Sequence, residues 1–185
     1  MGSVLDERLE ETILKPYTLY LVAWYDGLAQ WPFHWGLVVI MGDDSENPEV
    51  TLSHSVPKGT DSGPQAWKFE QKPYRLPESA TIVQLFEISA WQKLSAPYFM
   101  SAIVTHGMDV VEAHIDNKGY DCTTWTRDML IRLADDKHID LPGDLDDFFQ
   151  VFIAKAIELQ KLREDLAKQQ KEYRPKVLKY NKAGN

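Results

Sequence analysis

The chain has 185 residues, enough for one domain that buries a sizeable core without covalent staples. Its single cysteine excludes an internal disulfide and a zinc–thiolate cluster, which predicts no dependence on oxidation. A net charge of −8 argues against nucleic acid as the main partner. The start, Met1-Gly2-Ser3-Val4-Leu5-Asp6, lacks a secretory apolar core, and Asp6 breaks the myristoylation pattern. No apolar run approaches the length of a membrane span, so the expectation is a soluble, cytoplasmic protein.

Residues 1–16 form a charged lead-in ending at Pro16. Tyr17 to Trp24 is aromatic and β-branched and predicts a strand. Asp26-Gly27 marks a turn, and His34 to Ile40 predicts a second strand. Turn chemistry from Gly42 to Pro48 leads to a third strand, Val50 to Ser55. A hairpin turn centred near Asp44 places His34 opposite His54, on one face. Ala66 to Glu70 and Thr81 to Ile88 are further strand candidates. Ser95-Ala96-Pro97 predicts a helix start, running to about Met108 with a further segment from Val110 to His114. Asp121 caps a helix through about Leu133, with Trp125, Met129 and Leu133 on one stripe. After the Leu141-Pro142-Gly143 break, Asp144 starts a long helix through Phe148, Phe152, Leu159, Leu162 and Leu166, ended by Arg174-Pro175. The expected division is a lead-in (1–16), a body (17–143) and a C-terminal helix with tail (144–185).

Charge is uneven. Lys155 to Lys182 holds nine Lys/Arg and four Asp/Glu, so this stretch carries +5 and the rest −13. Two readings stand: a solvated lysine-rich helix face, or a docking arm for an anionic partner such as RNA. The apolar spacing of three, four or seven along the helix also suggests a homodimer seam, with docking on the acidic body as the competitor.

The chemistry centres on Cys122. A thiol at a helix start is favoured as thiolate by the helix dipole and free N–H groups. A histidine can take its proton and a second polar group can hold that imidazole, roles that suit His34 and His54. Gly36, two residues beyond His34, would let the Cys122 helix pack close to the strand. Read alone, Cys122 is a small buried hydrophobe and each histidine a hydrogen-bonded strand residue. Trp31-Pro32-Phe33 beside His34 suggests a pocket wall for an acyl or aromatic group, against the default of hairpin packing. His106, Asp109, Glu112, His114 and Asp116 contain no i, i+4 histidine pair, so no metal is expected. No glycine-rich phosphate loop or dinucleotide fingerprint is present, and no cofactor is expected.

The stretches His34-Trp35-Gly36-Leu37-Val38-Val39, Val50-Thr51-Leu52-Ser53-His54 and Asp121-Cys122-Thr123-Thr124-Trp125 resemble the circularly permuted papain-like thiol enzymes. Within that superfamily they are similar to the lecithin retinol acyltransferase and NlpC-related groups. They look closer still to a fungal domain family of uncharacterised function with Phe-His-Trp and Cys-x-x-Trp motifs. The resemblance covers about residues 17–135 and implies an α+β fold, an antiparallel sheet against helices. It implies Cys122 as nucleophile, His34 as base and His54 as orienter. Trp31, Phe33, Trp35, Asp121 and Trp125 would line the substrate site. Asp121 departs from the acyltransferases' asparagine, and their membrane-anchoring C-terminal segment is missing. The expected activity is attack on an amide, ester or thioester of a small-molecule or peptide substrate, followed by hydrolysis or transfer. The alternative is a non-catalytic binding or scaffold protein that uses the C-terminal helix or basic tail.

Overall fold

The structure, a computed structural model, describes residues 14–25, 33–42, 50–58, 67–74, 82–90, 95–114, 119–141, 144–171, 173 and 176–179. Among the described residues five strands come first: β1 (Thr18–Tyr25), β2 (Phe33–Ile40), β3 (Val50–Pro57), β4 (Trp67–Pro73) and β5 (Ile82–Ala90). Three helices follow, α1 (Ala96–Ala113), α2 (Cys122–Asp135) and α3 (Leu145–Lys168), and then a short β6 (Lys176–Lys179). The strands form one mixed sheet in the order β4-β3-β2-β1-β5-β6. Four of its ladders are antiparallel, and β5–β6 is parallel. The architecture is α+β.

Strand alternation divides the core into two layers. Leu19, Leu21 and Ala23 of β1 and Phe33, Trp35, Leu37 and Val39 of β2 face the helices. They meet Phe99 and Ile103 of α1, Trp125 and Met129 of α2, and Phe148 and Phe152 of α3. Tyr20, Val22 and Trp24 of β1, Val38 and Ile40 of β2, and Val50 and Leu52 of β3 form a second cluster on the opposite face. Both faces of β1 and β2 are therefore covered. That explains why these strands read as near-continuous apolar runs rather than as polar–apolar alternation.

Three expectations change. The helix expected to pause near Met108 is one uninterrupted element through Ala113. Gly107 does not break it; a Cβ there would lie 2.6 Å from the Phe69 ring, so the glycine admits that ring against the helix. Trp125 Nε1 also donates to the Gly107 carbonyl at 3.2 Å. The β2–β3 register is centred one residue further along than expected. The ladder runs from Ile40↔Val50 to Leu37↔Ser53 and, carried one residue further, this register sets Gly36 rather than His34 against His54. Partner numbers shift by two, so the face of every side chain is kept.

The third change is at the C-terminus. Phe148, Phe152, Ala156 and Leu159 are buried in the same core as the sheet, while Leu162 is 40% exposed. The helix thus packs on the domain up to Leu159, as its apolar spacing allowed, and Leu162 opens the part expected to project beyond it. Beyond α3, Tyr173 donates its hydroxyl to the Val83 carbonyl at 2.5 Å, and β6 pairs with β5. A positively charged stretch thus returns to the sheet edge, an ending the sequence reading lacked. Among the described residues no helix is long and apolar enough to cross a membrane.

Candidate active site

The β2–β3 ladder stops at Leu37↔Ser53, yet β2 starts at Phe33 and β3 continues to Pro57. Beyond that point β2 stays paired with β1 and β3 with β4. The β2–β3 backbone pairing ends there, and the two expected histidines lie beyond its end. His34 Nε2 lies 2.7 Å from His54 Nδ1, so a side-chain bond joins the two strands beyond the ladder. His54 Nε2 in turn lies 3.3 Å from Glu70 Oε1, on the next strand. Lys72 Nζ holds the same carboxylate oxygen at 2.6 Å.

These distances fix the tautomers. The Lys72 ammonium, with help from His54, lowers the Glu70 pKa to about 2. An ionised carboxylate only accepts, so His54 Nε2 carries the proton. Neutral His54 then offers Nδ1 as acceptor, and His34 Nε2 must donate to it. His34 Nδ1 is left with the lone pair, the basic end of a three-group relay. Burial, reinforced by His54, lowers the His34 pKa to about 4. Burial lowers that of His54 as well, against the pull of Glu70. Both rings are neutral at pH 7.

Trp24 packs on both imidazoles, with ring centroids 5.7 Å from His34 and 6.2 Å from His54. Its own Nε1 donates to the Tyr74 hydroxyl at 2.7 Å. Gly36 makes room on this side. A Cβ there would sit 3.0 Å from His54 Cβ and 3.2 Å from the Trp24 ring. The glycine therefore serves the histidine face, which corrects its expected role under the Cys122 helix.

Cys122 opens α2 as expected, with Asp121 as N-cap accepting from Thr124 N at 2.8 Å. The thiol is 7% exposed and belongs to the helix-side cluster. It and the imidazoles thus approach β2 from opposite faces. The contact that joins them is the backbone of Trp35, the residue after His34. The Trp35 N–H, the Thr123 hydroxyl and the cysteine's own N–H all donate toward the sulfur. Burial outweighs these donors, and the Asp121 carboxylate adds to it, raising the thiol to about 11. Neither histidine is among the groups that set this value.

The expected pocket residues fare differently. Trp125 is fully buried, stacked on Phe69 and bonded to α1. Trp35 is 4% exposed and packs between Phe149 and Phe152. Phe33 is buried against Tyr25. These three rings are core rather than an open substrate wall, because odd-numbered β2 positions and the inner α2 stripe face the helix layer. The Asp121 carboxylate is engaged in capping. Trp31 lies outside the described residues. Glu70, Lys72 and Trp24 were missed by the sequence reading. For Glu70 and Lys72 the signal was the alternation of Lys68, Glu70 and Lys72 on one face of β4. The chain matches no family model, no curated protein and no solved structure.

Proposed function

We propose that the chain is a thiol-dependent acyl-transfer enzyme of the permuted papain-like type, with Cys122 as nucleophile, His34 as base and His54 as orienter. The observation that carries this reading is the His34–His54–Glu70 relay. It stands beyond the end of the β2–β3 ladder, next to the Trp35 backbone that the thiol touches. A first histidine strand, a second histidine strand and then a cysteine helix, in the order β2, β3, α2, support the same family.

Both partners start neutral, so proton transfer accompanies attack rather than preceding it. Attack requires the sulfur to reach His34 Nδ1 past the β2 strand that separates them, where it gives up its proton and bonds to the carbonyl carbon. The carbonyl oxygen takes the electron pair, and the N–H groups around the sulfur stabilise the developing charge. Collapse expels an amine, alcohol or thiol, which leaves with the proton from His34. A small-molecule or peptide acyl group remains as a thioester on Cys122. Water or an amine, deprotonated by the same histidine, then releases it. Glu70 stabilises positive charge on the relay during each transfer.

A second reading, a non-catalytic binding or scaffold protein of the same fold, is favoured by the shielding of Cys122. A thiol at about 11 holds about 100-fold less thiolate at neutral pH than one at the ordinary 9.0. An activated ester and mass spectrometry separate the two. The enzyme reading expects an acyl adduct on Cys122, absent in Cys122→Ala and slowed in His34→Ala. An alkylation rate below that of free cysteine, unchanged by His34→Ala, together with no acyl adduct, sinks it in favour of the scaffold.

A further inference from the structure

Away from this site, two histidines and an aspartate converge where α1 passes the end of α2. His106 belongs to α1, while Asp136 and His138 follow α2. One ligand atom from each lies within 4.8 Å of the others. His106 Nε2 and Asp136 Oδ2 are 2.9 Å apart. Both ring nitrogens of His106 are shielded from water, and neither makes an aligned hydrogen bond. A carboxylate oxygen and an imidazole nitrogen thus approach closely without pointing at each other. Two donors aimed at a shared third point produce that geometry.

The backbone presents the second and third donors deliberately. His138 N bonds to the Leu133 carbonyl at 2.8 Å and Lys137 N to that of Ala134 at 2.9 Å. This is the paired closure of a helix C-terminus, with Lys137 left-handed at φ 60°. The reversal at Lys137 turns its two neighbours toward α1. The His138 ring packs edge-on against Phe99, with centroids 6.2 Å apart.

We propose that His106, Asp136 and His138 form a binding site for a first-row divalent metal ion of the zinc type. Two imidazoles and one carboxylate suit such ions, whereas calcium and magnesium prefer all-oxygen sets. Metal–ligand bonds of about 2.0–2.1 Å at tetrahedral angles place donors about 3.3 Å apart. The observed separations, 2.9 Å for one pair and at most 4.8 Å for the rest, bracket that value. Asp136, 54% exposed, gives the ion a path from solvent and leaves the fourth position to water. Bound metal would tie α1 to the end of α2.

The test is titration of the full chain with Co²⁺, read by its visible absorption, and with Zn²⁺ by competition. One equivalent per chain is expected, with a rise in Tm. His138→Ala and Asp136→Asn, at partly or largely exposed positions that leave the fold intact, should each weaken binding at least about tenfold. Cys122→Ala should bind as the parent does. Uptake that fails to saturate, that ignores both variants, or that disappears with Cys122→Ala overturns the site.

Discussion

Acid should loosen this protein through His34 first. In the unfolded chain this imidazole titrates at its ordinary 6.5; in the fold it titrates at about 4. A depressed histidine means that the unfolded state binds the proton more readily, so stability is full above pH 6.5 and falls as pH drops toward 4. Linkage arithmetic for those two values gives a loss of about 1 kcal/mol by pH 5.5 and about 3 kcal/mol by pH 4. Below about pH 3 the contribution is flat, because both states are then charged. His54 moves in the same direction, so the whole protein loses more than His34 alone accounts for. The assay is urea unfolding of the parent and of His34→Gln at half-unit steps from pH 7.5 to 4. The parent's unfolding free energy should fall more steeply, and the gap between the two curves should change by about 3 kcal/mol across the window. Parallel curves would show that His34 is not held neutral by burial, and the tautomer assignment of the relay would fall with it.

Gly36→Ala drives a Cβ to 3.0 Å from His54 Cβ and from the Ser53 carbonyl. A loss of about 1–3 kcal/mol is expected in urea melts, and an unchanged midpoint would refute the crowding. Gly107→Ala should also destabilise, although alanine favours helices by about 1 kcal/mol, because the Phe69 ring blocks the new methyl at 2.6 Å. A stabilised variant would mean that the ring yields easily. Asp121→Ala removes the cap, costing about 1 kcal/mol, and also removes a carboxylate that raises the thiol pKa. Stability should fall while the alkylation rate of Cys122 rises; a slower rate would contradict the electrostatics. Light scattering should find a monomer, since Phe148, Phe152 and Leu159 are spent on the chain's own core. A concentration-independent dimer would show that another surface self-associates.

The sequence made the order and kind of most elements legible because the early strands are dense in β-branched and aromatic residues and α2 and α3 carry capping aspartates. β6 escaped because four residues, with lysines at both ends, carry no periodicity; pairing with β5 makes it a strand. The histidine pair was legible through the hairpin, and an even register error left its face intact. The partner of His54 was not, because Glu70 sits in a charged run whose meaning depends on the neighbouring strand. The thiol's environment was legible in its helix-start position and misread in its pKa. The dipole was visible in the sequence, but the weight of burial was not. Trp35 and Trp125 looked like pocket walls because aromatic residues near a candidate nucleophile carry no mark of which face of the sheet they occupy.

The parallel β5–β6 ladder joins Gln84 to Lys176, so all three helices lie within the loop that it closes. Closing so long a loop carries a large entropy cost before any contact rewards it. The hairpins of β1 to β4 are local and can form first. β6 is therefore expected to join late in folding, after the rate-limiting state. Mutations that weaken it, such as Val177→Ala, should speed unfolding and leave the refolding rate unchanged. That outcome would make the edge of this sheet a kinetic latch, one that governs how long the fold lasts rather than how quickly it forms.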